Sequence, residues 1–438
     1  MALGGGVWST QNKVLPGTYI KKISKSLGKV QLSERGYASI PIELDWGIDG
    51  EIFKVTADRV NHQSEELFGY RIGHEKLTLV REIFKNAREV YFYRINSGEK
   101  AKSELGEARY SGIRGNDIRV VISKSIDIDG AFIVSTYLGN DEVDSQLVSS
   151  REELKDNKYV IFSKELELTE NAGVKFEGGT NLDKITVAEY EKYLRKVEGL
   201  GINTLGCPVA DEDVVELFVA FTKRMRDDVG AFFQTVVHAP EKKFNYEGVI
   251  NLENKCITDD YPESAGVYWL TGAEAGVAIN KSLTNDAYDG ELKFDVDYTQ
   301  YKLEDLMNEG MLVFHRVDDE IKVLKDVNTY IKFSELKGES FNSNQVMRVI
   351  DGKGLELVKV FNNDYLGHVN NDNGGRVSLW SKLVDINRQY QDLRAITDFV
   401  PDDIVVEEGD DRESVLVQDS FTPNKVMTKL YATFVVTE

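Results

Sequence analysis

The rhythm of apolar and polar positions divides the chain into five stretches. Residues 1–30 hold few large apolar side chains. One strand-like piece, Gly17-Thr18-Tyr19-Ile20, follows Pro16, so this stretch reads as either a loose terminus or an N-terminal arm that packs on something else. Residues 31–95 read as an α/β segment. Leu77, Val80, Phe84 and Ala87 recur at helical spacing with Ile83 beside them, and Glu89-Val90-Tyr91-Phe92-Tyr93-Arg94 reads as a buried strand. Residues 96–180 are rich in strand signals. Ile118, Val120 and Ile122 alternate with outward-facing partners, Asp129-Gly130 predicts a hairpin turn before Phe132 and Val134, and Tyr159–Phe162 supplies a further strand. A small β-sandwich is the simplest architecture for that stretch.

From 181 to 330 helix and strand alternate. Thr186 and Glu189 fit a capping box, Tyr190, Leu194 and Val197 form one apolar face, and Gly201 is expected to end the helix. Ile202–Cys207 reads as a strand stopped by Pro208. Val214, Val215, Phe218, Phe221 and Met225 mark the next helix, and Ala231–Val237 another strand. This alternation predicts a parallel α/β sheet. Ala273, Ala275, Gly276 and Ala278 predict a small-residue helix that lets backbones approach closely. Residues 331–438 form the last unit, with a long helix marked by Val377, Trp380, Val384 and Tyr390. It closes on the strand-like run Val426–Val436, which carries one charge and no proline. An apolar strand at a terminus is an aggregation hazard unless something pairs with it.

Composition narrows the function classes. A chain of 438 residues is long enough for about three domains and several cores. No apolar run reaches 18 residues, so no membrane-spanning helix is expected, and the opening segment lacks the pattern of a secretory signal. Seven prolines argue against long disordered linkers. The two cysteines, Cys207 and Cys256, fall on different predicted elements and indicate no disulfide framework. A formal net charge of −21 disfavours direct nucleic-acid binding, which rests on Lys and Arg, and it opposes premature self-association.

Catalytic and metal motifs are missing from the sequence. It has no phosphate loop, no Gly-x-Ser-x-Gly elbow, no His-Glu-x-x-His and no Cys-x-x-Cys. His62, His74, His238, His315 and His368 have no metal-ligand spacing. Ser125–Gly130 superficially suggests a calcium loop, but Thr136 stands where a bidentate Glu would be needed. Asp227-Asp228 and the carboxylates between Asp259 and Glu263 read as solvated loops. No cofactor, metal or catalytic residue is expected.

Several segments together resemble contractile phage tail sheath proteins of the Gram-positive phage and prophage type. They are Pro16-Gly17-Thr18-Tyr19-Ile20, Ala108-Arg109-Tyr110-Ser111-Gly112-Ile113-Arg114-Gly115-Asn116, Phe176-Glu177-Gly178-Gly179-Thr180-Asn181, the stretch Ala273–Thr284, and Val327-Asn328-Thr329-Tyr330. Their order and spacing over nearly the whole chain carry the resemblance. It implies a multi-domain α+β and α/β fold, in which a β-sandwich domain and a subtilisin-like α/β domain (181–330) are inserted into a mixed α/β core domain (331–438) with extended N- and C-terminal arms. Asp351-Gly352-Lys353-Gly354 departs from the continuous helix the family would have there.

The function so implied is structural. The subunit polymerises helically around an inner tail tube and contracts to drive the tube through a cell envelope. Its partners are further copies of itself, the tube protein, and baseplate and tail terminator proteins, with neither direct nucleic-acid contact nor membrane insertion. Assembly in the bacterial host cytoplasm would precede residence in a virion tail or tail-like particle. A contractile bacteriocin or an injection-system sheath is the alternative, and a hydrolase on the subtilisin-like domain a further one that needs a Ser/His/acid cluster. Without a phosphate loop, the work must come from free energy stored in assembly. Tyr19, Ile20 and Ile23 of the arm, and Leu430, Ala432, Phe434 and Val436 of the tail, are the candidate inter-subunit strands. Segments 24–30 and 409–424 are their expected hinges. Arg376, Lys382, Arg388 and Arg394 on the long helix are candidate tube contacts in an otherwise acidic chain.

Overall fold

Strand Tyr37–Ile42 is an inner strand of the largest sheet, and its alternation decides what packs on each face. Ala38, Ile40 and Ile42 point into one apolar cluster, while the Ser39 hydroxyl faces the other way, 2.7 Å from the Tyr193 phenol. The computed structural model describes residues 5–6, 18–19, 32 and 34–437. Gly5–Gly6 pairs in parallel with Thr18–Tyr19. Ile20, Ile23 and the segment 24–30 lie outside the described residues.

The sheet has seven strands in the order 311–312, 249–252, 234–237, 204–206, 37–42, 89–94, 52–56, all parallel except the 52–56 edge. Strands from residues 37–94 and 204–312 thus share one sheet, and the β-sandwich is inserted between them. Parallel sheets are covered on both faces, which is why these strands read as apolar runs. Helices α1 (Ala57–Phe68) and α2 (Thr78–Phe84) precede the sandwich. After it come α3 (Val187–Val197), α4 (Glu212–Arg224), α5 (Gly266–Gly276) and α6 (Gln300–Asn308). One cluster seats α2 and α5, the other α3 and α4. The Glu189 carboxylate accepts from the Thr186 N–H at 3.0 Å, as in a capping box, but α3 stops at Val197, short of Gly201.

The sandwich stacks a four-stranded sheet (141–148, 132–138, 118–124, 171–175) on a three-stranded one (160–162, 106–108, 102–103). Ile118, Val120, Ile122 and Val134 fill its core, and Gly130 takes φ 80° in the turn predicted before Phe132. Its attachment explains the quoted motifs. Trp46, from the central body, is fully buried in the sandwich cluster, edge-on to Tyr110 and stacked over Tyr159. Buried Arg94 donates to Asp49, to the Ser111 carbonyl at 2.7 Å and to Asn181 at 3.1 Å, tying the start of the insertion to its end. Gly112 has φ +117° and no room for a Cβ, which would sit 2.1 Å from the Asp45 carbonyl. Asn116 exchanges two 2.8 Å bonds with the Gly179 backbone.

The C-terminal body is built on α7 (Asn344–Val360) and α8 (Asn373–Asp392). Contrary to expectation, α7 runs unbroken through Asp351-Gly352-Lys353-Gly354. A Cβ on Gly352 would meet the Tyr390 hydroxyl at 2.6 Å, and one on Gly354 the Phe232 ring at 2.7 Å. Glycine here admits neighbours instead of breaking the helix, and packing offsets its propensity cost of about 1 kcal/mol. Val377 of α8, predicted inward, is 55% exposed, whereas Leu379, Leu383, Val384 and Tyr390 are buried.

Two buried ion clusters fasten α7 to the central body. Arg348 donates at 2.6 Å to both Glu274 of α5 and Asp326, and Asn344 donates to the same two carboxylates. Burial and the neighbouring Asp326 push the Glu274 carboxyl well up, while Arg348 and hydrogen bonds hold Asp326 below its ordinary value despite its burial. Arg226 of the segment after α4 binds Asp351 through two bonds of 2.7 and 2.8 Å.

The close approach of α5 to α2 depends on glycine. A Cβ on Gly272 would lie 2.2 Å from the Ile83 carbonyl, and one on Gly276 2.0 Å from that of Asn86. Gly272→Ala should therefore destabilise the protein by about 1–3 kcal/mol, where an ordinary helical glycine would gain from the change. Urea melts followed by circular dichroism measure the sign directly.

Candidate functional site: the C-terminal hairpin and tail

Beyond α8 the chain forms a two-stranded antiparallel hairpin, Ile404–Glu408 with Val415–Asp419. It lies on α8, where Trp380 donates its indole N–H to the Ile404 carbonyl at 3.1 Å. Val406, Val415 and Val417 are half-buried against the helices. Among the described residues neither outer edge of the hairpin pairs with another strand. Such edges present unpaired N–H and C=O groups and accept further strands.

The hairpin is held from below by a polar anchor that sequence reasoning missed. Lys353 of α7 is almost wholly buried. Its ammonium lies 2.8 Å from the Asp419 carboxylate and 3.5 Å above the centre of the Phe421 ring. The Asn387 side chain of α8 accepts from Lys353 and donates to Asp419 at 3.2 Å. Burial lowers the Lys353 pKa and Asp419 opposes that shift. A lysine between two glycines in an apolar helix was the available signal, since a long side chain there must have a buried partner.

The expected hinge 409–424 is ordered instead. It contains the hairpin turn, the 415–419 strand and Thr422–Pro423, which pairs with Ile396–Thr397. Asn424 donates to the Arg394 and Ile396 carbonyls, and the Val426 N–H to the Gln345 side chain at 3.1 Å. From there the chain runs free. Residues 427–437 form no strand and make no hydrogen bond among the described residues. Leu430, Phe434 and Val436 are 89%, 91% and 90% exposed, with Ala432 exposed between them. In isolation such a surface is costly, at roughly 25 cal/mol per Å² of apolar area.

The four candidate tube contacts separate into two pairs. Arg376 donates to the Asn371 side chain at 2.9 Å and lies 3.7 Å from Glu408, and Lys382 lies 3.8 Å from Asp364. Arg388 is exposed near the end of α8, and Arg394 just past it, exposed with φ 58°. Neither has an ion-pair partner among the described residues. Elsewhere, His238 is buried with Nδ1 2.9 Å from the Leu252 carbonyl, and burial pushes the Cys207 thiol up to about 12. Neither is poised for chemistry. The described residues hold no group of acidic, His and Cys side chains able to bind a metal, and no helix among them is long and apolar enough to cross a membrane.

Four phage tail sheath families match successive stretches of the chain. They are the Gp18 domain III N-terminal region over 35–95, the β-sandwich domain over 96–181, the central domain over 183–329 and the C-terminal domain over 337–437. The sheath tail protein of Desulfitobacterium hafniense is 33% identical, with 93% of this chain and 96% of that one covered at a TM-score of 0.80. This chain belongs to the phage tail sheath family. It is a structural subunit of a contractile tail sheath, not an enzyme. Protein XkdK of the phage-like element PBSX of Bacillus subtilis is 29% identical to the sheath subunit over 98% of this chain and 99% of its own. The anti-feeding prophage helical sheath in its contracted state shares the fold at 13% identity, with 96% and 98% coverage and a TM-score of 0.58.

Lys353→Met should cost about 2 kcal/mol, less than breaking a fully buried pair because Asp419 keeps some solvent. Hydrogen exchange should show protection lost first at Val415–Asp419, with the central sheet little changed.

Proposed function

We propose that the subunit polymerises helically around an inner tail tube and that contraction of the polymer drives the tube through a cell envelope. The supporting observation is the pairing of features on one body. An exposed apolar tail with no strand partner among the described residues leaves the same domain that offers a hairpin with open edges. Tail residues Leu430–Val436 of one subunit add to the hairpin of the next, and the N-terminal arm at Tyr19, Ile20 and Ile23 makes a second link. Each backbone bond contributes about 1 kcal/mol, so a handful per arm holds neighbours together while their bodies rotate. The extended lattice is a kinetic trap, and the contracted one lies lower in free energy.

The central α/β body carries the subtilisin-like label as a shape only, because fold does not confer function. Arg388 and Arg394 face the tube, while Arg376 and Lys382 serve their own subunit. Baseplate and terminator proteins close the two ends of the polymer. Assembly takes place in the host cytoplasm, and likeness to a protein of a phage-like element supports a prophage setting.

Deleting residues 1–23 should leave a folded monomer that no longer forms striated tubes in negative-stain electron microscopy. Normal tubes from that deletion would remove the arm from the mechanism. Reversing charge at Arg388 and Arg394 together should lower co-sedimentation with tube protein by about tenfold at low salt. Unchanged co-sedimentation would take the two arginines out of the tube interface.

A further inference from the structure

The central sheet divides its connections at one place. Strands 37–42 and 204–206 are parallel neighbours. The chain leaving 204–206 passes through α4 to 234–237 on one side, and the chain leaving 37–42 passes through α1 and α2 to 89–94 on the other. Helix α4 belongs to one apolar cluster and α2 to the other, so the two connections part to opposite faces. In open α/β sheets the crevice beyond the carboxyl ends of such strands is where ligands bind. Here it opens as two adjoining clefts, of about 390 Å³ and about 550 Å³, which share Glu43, Tyr190 and Val209 as walls.

The lining is acidic and aromatic. Glu43 directly follows the 37–42 strand, and its carboxylate has no hydrogen-bond or ion-pair partner among the described residues. Its side chain keeps some solvent, yet desolvation in the cleft pushes the carboxyl up. Asp45 and Asp260 stand in the first cleft, Asp211 and Asp213 in the second. The only basic side chains are Lys76, which lies 3.5 Å from Asp45, and Lys184. Tyr70, Tyr261 and Tyr268 wall the first cleft. Tyrosine faces and carboxylates together favour a cation.

Acids alone would be an ordinary solvated rim, and Tyr190 makes the difference. It is 4% exposed and walls both clefts, and its phenol has no hydrogen-bond partner among the described residues. Buried tyrosine hydroxyls ordinarily find one. Burial chiefly raises its pKa, and the Cys207 thiol, Glu43 and Asp211 add to the shift, so the hydroxyl lies in the field of two carboxylates. Hydroxyl and Glu43 carboxylate are thus both unused where the clefts meet. A group that donates several N–H bonds satisfies both, as an alkylammonium does. A metal ion fits less well, since the described residues hold no group of acidic, His and Cys side chains able to bind one. Carboxylates stand in both clefts, with Glu43 shared between them. The match is therefore a chain with cationic centres along its length, not one with a single charge at its tip.

We propose that this cleft binds a linear polyamine, with one ammonium group held between Glu43 and the Tyr190 hydroxyl and the other cationic centres facing the acids of the two clefts. Bound there, it joins α3, the start of α4 and the segment after the 37–42 strand within one subunit.

Calorimetric titration of the full-length protein with spermidine at low salt tests it. Glu43→Gln should weaken binding by about tenfold and Tyr190→Phe by about fivefold. Because the phenol has no partner in the free protein, Tyr190→Phe should leave the melting temperature unchanged when spermidine is absent. n-Butylamine, with a single charge on a similar chain, should bind at least about tenfold more weakly than spermidine. Spermidine binding unaltered by both substitutions would assign the cation to the general negative charge of the surface and overturn the proposal, as would no binding at all. A lowered melting temperature for Tyr190→Phe would mean that the phenol already has a partner within the subunit, with the same consequence. Equal affinity for n-butylamine would make the cleft a socket for a lone ammonium, such as a lysine side chain of another protein, and overturn the polyamine.

Discussion

A single buried guanidinium decides how the two main bodies of the subunit sit together. Arg348 comes from α7, Glu274 from α5 and Asp326 from the loop that leaves the central body, and all three are shut away from water. In a low-dielectric interior none of these charges is tolerable alone, so the three elements must meet with the geometry that satisfies them all. Burial and Asp326 push the Glu274 carboxyl well up, while Arg348 and hydrogen bonds hold Asp326 down, and one arginine serves both. Arg226 on Asp351 repeats the device one turn along the helix. Because α7 also carries Lys353, this junction sets the position of the hairpin and the tail root as well.

A stiff body with loose extensions follows from that constraint. Elements approach where glycine admits them, at Gly272 on Ile83, at Gly276 on Asn86, and at Gly352 and Gly354 on Tyr390 and Phe232. Interiors packed this tightly transmit force and do not deform gradually. The tail has the reverse character, with almost no contact to its own subunit past Val426. Rigid bodies joined by paired strands suit the proposed lattice, since the bodies can reorient while the links hold.

Local sequence pattern matches the structure where it agrees with burial. The Glu89–Arg94 strand, the Asp129-Gly130 turn and the Thr186–Glu189 box all depend on neighbouring residues. The two diverge where a distant contact overrules the local signal. The glycines of α7 look like breakers until Tyr390 and Phe232 are placed beside them. Val377 fits the helical period yet faces out, because α8 is covered on one side only. The stretch 409–424 looks polar and mobile, but cross-strand bonds and the Lys353 anchor hold it.

Pattern, charge and missing motifs were enough to determine a multi-domain α/β chain with a β-rich stretch, no catalytic motif and an apolar tail in need of a partner; that the β-rich stretch is an insertion was implied by the family resemblance. Those properties are local, since periodicity and composition act within a few turns of chain. Tertiary structure alone decided that residues 37–94 and 204–312 share one sheet, that Arg376 and Lys382 lie near acids of the subunit while Arg388 and Arg394 have no ion-pair partner among the described residues, and that a hairpin with unpaired edges and an exposed apolar tail belong to one body. These are relations between residues far apart in sequence. Only burial, which forces distant charges and edges to find partners, makes them definite.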